Sequence, residues 1–120
     1  MKWFVVENDQ WKSLLKAHIP ILQKGWGNGY VAVPPGHVLY KKDYSSVFYL
    51  LEDTEYEINI HGGLTYSNFG DGEDAPENWW VFGFDTSHFD DNLEKWPKER
   101  VIEETKELFW QLLEIEWGEL

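Results

Sequence analysis

The sequence of 120 residues has no cysteine, few basic residues and no long apolar run. The absence of cysteine excludes disulfides, thiol catalysis and thiolate zinc sites. Ten Lys and Arg stand against 22 Asp and Glu, a net charge of −12. This balance argues against direct binding to nucleic acid or to an anionic membrane, both of which require a basic surface. No apolar run approaches the roughly 20 residues of a membrane span. The absence of cysteine is typical of a reducing compartment, so we expect a cytoplasmic protein.

Aromatic residues, by contrast, are abundant: eight Trp, six Tyr and seven Phe. Disordered chains are poor in such residues, so we expect an ordered protein despite its charge. A chain of this length buries enough surface for a core of its own, and we predict a single domain over residues 1–120.

The hydrophobic pattern predicts an α+β fold. We expect an antiparallel sheet of about four to five strands, with a long C-terminal helix packed on one face. Alternating or apolar segments mark the candidate strands: residues 3–7, 30–33, 56–61, 64–69 and 79–84.

The C-terminal helix, predicted from about Lys98 to Trp117, is the clearest element because its apolar residues recur at helical spacing. A shorter helix is predicted from Asn8 or Asp9 to about Lys16. Two interpretations stay open for residues 37–53, where Asp43 caps a short helix or the segment continues as a strand.

Polar residues follow two of the predicted strands. His61 comes after one strand, and Asp85 and His88 come after another. If these strands are neighbours, the three side chains meet at one rim with Thr65 close by. Two imidazoles with one or two carboxylates can hold zinc, manganese or iron and activate water. The alternative is structural: Asp85 caps a turn and His61 hydrogen-bonds to backbone.

The roles of one set of aromatic residues and of one acidic loop stay open. Trp26, Tyr30, Tyr66, Trp79 and Trp80 line a stacking pocket for a base or a sugar, or they build the core. The loop after residue 70 has the composition of a calcium loop without its ligand spacing.

Acidic residues concentrate on the last helix and in the loop at 71–77. With Trp110 as an apolar anchor, they suit a basic, partly apolar protein surface. The residues that we expect to bind the partner are Asp71, Glu73, Asp74, Glu99, Glu103, Glu107, Trp110 and Glu114.

An ordered set of short motifs runs through the middle of the chain: Gly27-Asn-Gly-Tyr-Val31, Pro35-Gly-His37, Tyr40, Lys42-Asp-Tyr44, His61-Gly-Gly-Leu-Thr-Tyr-Ser67, Trp80-x-x-Gly-Phe-Asp85 and His88. This set resembles a family of small phage and prophage proteins without an assigned activity. Val38 and Lys41 depart from the proline and glycine that the family pattern carries there.

The resemblance implies a viral accessory protein in the host cell cytoplasm. By analogy with acidic anti-CRISPR proteins, it suggests a counter-defence inhibitor that covers the basic surface of a host nuclease. We therefore predict a non-enzymatic binding protein without a cofactor. The alternative is a metal-dependent hydrolase or a nucleotide-binding protein that uses His61, Thr65, Asp85 and His88, with a divalent metal as the cofactor.

Overall fold

Four antiparallel strands form one sheet. The computed structural model describes residues 1–8 and 24–117, the last two by their backbone alone. The strands β1 (Lys2–Glu7), β2 (Gly27–Val33), β3 (Tyr66–Phe69) and β4 (Trp80–Phe84) lie in the order β1-β2-β4-β3. Every neighbouring pair is antiparallel. With the helices below, this confirms the predicted α+β class and sets the number of strands at four.

Among residues 1–8 and 24–117, two helices accompany the sheet. Helix α1 (Tyr44–Leu51) begins after Asp43, whose carboxylate accepts a hydrogen bond from the Ser45 N–H at 3.1 Å. This N-cap settles the alternative for residues 37–53 in favour of a helix. The turn before it places Lys41 at φ +64°, a left-handed conformation that glycine adopts more readily than lysine.

Helix α2 (Lys98–Trp117) is the predicted C-terminal helix and packs against β1 and β2. Its inward residues recur three, four or seven positions apart, as a helix with one buried face requires. They are Val101, Thr105, Leu108, Leu112 and Ile115. Within the described part of the chain, no helix combines the length and the apolar character needed to cross a bilayer.

The two faces of the sheet bury different residues because side chains alternate along each strand. On the α2 side, Val31 and Phe82 join the main core. On the other side, Ala32 and Val81 are covered by Ala75 from the loop between β3 and β4.

The aromatic residues of the suggested stacking pocket are divided between these two faces. Trp26 and Trp80 pack against the main core, whereas Tyr30 and Trp79 pack on the opposite side of the sheet. Tyr66 makes an edge contact with Tyr30, their centroids 5.3 Å apart. A single pocket lined by all five is therefore wrong, because neighbouring residues of a strand face opposite ways.

Residues 56–61 do not form the predicted strand. Their exposure does alternate, but the backbone pairs with side chains of α2 instead of with another strand. Asn59 donates its N–H to Gln111 Oε1 at 2.7 Å and accepts from Gln111 Nε2 at 2.9 Å. The N–H of His61 donates to Glu104 Oε1 at 3.2 Å. These helix side chains satisfy backbone groups that a sheet would otherwise satisfy.

The predicted N-terminal helix, from Asn8 or Asp9 to Lys16, lies outside the described residues apart from Asn8.

Candidate functional site

Two histidines and two aspartates meet beside the C-terminal end of β4. His61 Nε2 donates to the Asp91 carboxylate, 2.9 Å from Oδ1 and 3.0 Å from Oδ2. His88 Nδ1 lies 3.2 Å from Asp85 Oδ1 and 3.4 Å from Asp91 Oδ2. The imidazole rings are edge to face, their centroids 5.4 Å apart. We call these four residues the His/Asp cluster.

A glycine turn allows the two imidazoles to approach each other. Gly62 and Gly63 have φ of +69° and +74°, the left-handed region that favours glycine. The ring of His88 occupies the space beside Gly62, where a Cβ would lie 2.3 Å from His88 Cε1. Any side chain at residue 62 would therefore collide with the His88 ring.

The loop after β4 positions the carboxylates through local hydrogen bonds. Asp85 Oδ1 accepts from the Ser87 N–H at 3.0 Å, so this residue does cap a turn, as the structural alternative expects. Asp91 Oδ2 accepts from the His88 N–H at 2.9 Å, and the Asp91 N–H donates to the His88 carbonyl at 3.0 Å. Each carboxylate thus accepts a backbone N–H of the loop and also lies within 3.4 Å of a histidine nitrogen of the cluster.

The cluster holds Asp91 in its ionised form. The side chain of Asp91 is only 5% exposed, and its burial by itself would raise the pKa of the carboxyl. Hydrogen bonds from the His61 side chain and from the His88 N–H, together with the positive potential of both histidines, outweigh burial, so the pKa lies below its ordinary value.

One side of the cluster is closed by aromatic packing. The His61 ring lies on the buried ring of Trp96, with centroids 4.1 Å apart, and Arg100 Cζ lies 4.1 Å from the centroid of the same indole. The His88 and Asp85 side chains are each about one-third exposed. A small solute can therefore reach the cluster from the side of His88.

Three of the four residues predicted for this site lie together. His61, Asp85 and His88 do meet, but not at the ends of two neighbouring strands, because residues 56–61 form no strand. Thr65 instead pairs with β4, donating its N–H to the Gly83 carbonyl at 2.9 Å. The reasoning missed Asp91, the most buried carboxylate of the cluster. Its signal was the three-residue spacing from His88, the same spacing that separates Asp85 from His88.

The predicted partner-binding acids are exposed but occupy two separate surfaces. Glu99, Glu103, Glu107 and Glu114 lie on the outer side of α2, where Trp110 is 57% exposed. Asp71, Glu73 and Asp74 are in the loop that covers the opposite side of the sheet. Asp71 accepts the N–H groups of Glu73 and Asp74, and these bonds lower the pKa of its carboxyl. The two sets of acids therefore do not form one continuous patch.

The sequence reasoning missed a groove beside α1. Val47 and Leu51 face the core, while Phe48 and Tyr49 are 71% and 72% exposed on the outside of the same helix. Between α1 and the chain from Thr54 to Leu64 is a cavity of about 580 Å³. Three glutamates and no basic residue lie among its lining residues. The glutamates are Glu52, Glu55 and Glu57. We call this feature the α1 groove.

Comparisons with known proteins add no relative: no family model matches the chain, and no curated protein or solved structure matches it at a significant level. The fold and the two sites define the class as an α+β protein with a His/Asp cluster and an acidic, aromatic groove. The resemblance to small phage proteins stays a prediction.

Proposed function

We propose that this protein is a binding protein whose α1 groove engages a basic, partly apolar surface of a partner protein. The observation that carries the proposal is the exposure of Phe48 and Tyr49, with Leu50 also 44% exposed, on a helix whose other side is already buried in the core. Contiguous exposed apolar surface of this kind, rimmed by polar residues, is typical of interaction sites.

The chemistry of the groove selects the kind of partner. Large aromatic side chains are the residues that most often dominate binding energy at interfaces. Phe48 lines the groove, and its ring contacts that of the adjacent Tyr49 edge to face, with centroids 5.6 Å apart, so the pair presents an apolar ridge beside the groove. The glutamates of the lining favour lysine and arginine on the opposite surface. An amphipathic helix with basic residues beside large apolar ones fits both properties.

Binding of this kind is compatible with the cellular role that the phage resemblance implies. A host nuclease presents basic surfaces to nucleic acid, and an acidic protein of net charge −12 is suited to cover one. We therefore propose counter-defence inhibition in the host cytoplasm as the role, without a chemical reaction. The acids of α2, including Glu103 and Glu107, and those of the 71–74 loop would steer the approach of the partner over a longer range.

The test is affinity capture from bacterial lysate with the wild type, the double variant Phe48→Ala/Tyr49→Ala and a control, Phe89→Ala. Phe89 is 98% exposed in the loop after β4, so its substitution removes an equally accessible ring at a different place. We expect a partner that the wild type and the control retain, that the double variant loses, and that dissociates as the salt concentration rises.

Hydrogen exchange of the complex locates the contact without any substitution. Protection is expected in α1 and in residues 54–64. Capture that survives the double variant, or protection confined to α2 and the 71–74 loop, would contradict the α1 groove as the binding site.

The alternative function, a metal-dependent hydrolase or nucleotide-binding protein, is favoured by the proximity of His61 and His88 to two carboxylates. Hydrolysis there requires that the His/Asp cluster bind a metal ion, and metal binding can be measured by itself.

A further inference from the structure

We infer that the His/Asp cluster is a binding site for one divalent cation of the zinc class, held by His61 Nε2, His88 Nδ1 and the carboxylates of Asp91 and Asp85. His61, His88 and Asp91 each offer a ligand atom within 4.8 Å of the others. The inference stands independently of partner binding at the α1 groove, because the two sites share no residue that either uses.

The spacing of the donor atoms suits a metal of this size. The separations in the cluster are 2.9 Å for His61 to Asp91, 3.4 Å for His88 to Asp91 and 3.2 Å for His88 to Asp85. Four ligands at the bond lengths of zinc, about 2.0–2.1 Å, lie about 3.3 Å from one another in a tetrahedron. His61, His88 and Asp91 offer ligand atoms within 4.8 Å of one another, so small side-chain rotations bring these three around one ion. Asp85 lies 3.2 Å from His88 Nδ1 but outside that group of three, so its side chain has to turn towards the ion to supply the fourth ligand.

His88 Nδ1 provides a second observation. This atom is shielded from solvent and makes no hydrogen bond of acceptable geometry, although two carboxylate oxygens lie within 3.4 Å. A buried polar atom without a partner is costly, and a cation between the nitrogen and the oxygens would satisfy it. The packing of the ring on Gly62 fixes that nitrogen towards the carboxylates.

The ligand set selects among cations. Two imidazoles with two carboxylates suit zinc, iron and cobalt, whereas magnesium and calcium prefer sites made entirely of oxygen. Binding also requires that both ligating nitrogens be unprotonated. The Nε2–H bond by which His61 now donates to Asp91 must therefore be given up as the metal binds, and the neutral ring then carries its proton on Nδ1.

The experiment titrates the full-length protein, freed of metal with a chelator, with zinc chloride in a calorimeter at two pH values. We expect one zinc per chain, weaker binding at the lower pH because protons compete for the imidazole nitrogens, and weak or no heat with magnesium. Cobalt in place of zinc should produce the visible absorption of a low-symmetry four-coordinate site. Imidazole nitrogen shifts in NMR of the wild type should identify His61 and His88, and not His37, as the ligands.

Substitutions then assign the ligands. Loss of outer-sphere partners already lowers metal affinity by about 10–100-fold, so His61→Ala and His88→Ala are each expected to weaken zinc at least 100-fold. Asp85→Asn retains the shape and should weaken it at least tenfold. Asp53→Asn, which makes the same change at an exposed position after α1, is the control and should leave the affinity unchanged.

Three results would overturn the inference. The first is the absence of stoichiometric zinc binding by the folded wild type. The second is an affinity that is equal in the wild type, His61→Ala and His88→Ala. The third is nitrogen shifts that move at other histidines only. Because the NMR measurement needs no substitution, a variant that fails to fold does not prevent a decision.

Discussion

Substitution of Gly62 by alanine tests whether this glycine is required by the His88 ring or only by the turn. Gly62 has φ +69°, a conformation that costs an L-residue about 1–2 kcal/mol. In addition, the new Cβ would lie 2.3 Å from His88 Cε1, and forcing an atom into occupied space costs about 1–3 kcal/mol. Gly62→Ala should therefore lower the free energy of unfolding by about 2–5 kcal/mol in total.

The adjacent glycine is a matched control. Gly63 has φ +74°, nearly the same backbone strain, but its Cβ would meet nothing within 4 Å. Gly63→Ala should therefore cost only the backbone contribution, about 1–2 kcal/mol. Urea unfolding followed by tryptophan fluorescence gives both values, and a difference of 1 kcal/mol corresponds to about 4 °C in Tm for a chain of this size.

A double-mutant cycle isolates the collision with the ring. In the His88→Ala background the space beside Gly62 is vacated, so Gly62→Ala should cost no more than Gly63→Ala does. Equal costs of the two glycine substitutions in the wild type, or an excess cost of Gly62→Ala that persists without the His88 ring, would refute the reasoning.

Three further substitutions test the packing of the core, the hydrogen bonds of a buried histidine and the pH dependence of stability, all by the midpoint of urea unfolding. Leu108→Ala, at a fully buried position of α2, should cost about 2–5 kcal/mol, whereas the exposed neighbour Glu107→Ala should stay within about 0.5 kcal/mol; similar values for both would contradict the packing. His37→Phe removes the acceptor Nδ1 of the Leu39 N–H and the Nε2–H that donates to the Leu112 carbonyl at 2.8 Å, and it should cost about 1–3 kcal/mol; an unchanged midpoint would show that these two hydrogen bonds add nothing. The folded pKa of Asp91 is lowered, so its ionisation stabilises the fold above the unfolded pKa of about 3.9, and this contribution is lost as the pH falls through the folded value. The stability gap between the wild type and Asp91→Asn should therefore be largest near pH 7 and close in acid, and a gap that is constant with pH would contradict this role.

The sequence was sufficient where one physical signal dominated. The regular apolar spacing of α2 and the alternation or apolarity of the four strands were enough to predict those elements. The alternation of Tyr56, Ile58 and Ile60 predicted a strand that does not exist, because alternate burial also arises where an extended segment lies against a helix. What distinguishes the two cases is the partner of the backbone, here Gln111, which is 52 residues away from Asn59.

The site was predictable only in part for a similar reason. His61 and His88 do lie close together, but the premise of two neighbouring strand ends was wrong, because residues 56–61 form no strand. The contribution of Asp91 depends on a turn in which Asp90 has φ +73°. A left-handed aspartate is not foreseeable from composition, since it is selected by the surrounding contacts. The α1 groove was missed because the apolar spacing of α1 suggests a buried helix, and its sequence alone does not show that one side lies open.

The pairing of Gln111 with Asn59 has a consequence for self-association. An extended segment with free backbone groups is a template onto which a second chain can add a strand. The side-chain amide of Gln111 has the same donor and acceptor as a peptide group, and it occupies both backbone groups of Asn59. Gln111 therefore makes at Asn59 the two hydrogen bonds that a neighbouring strand would make. A strand of a second chain cannot pair with Asn59 unless it displaces this side chain.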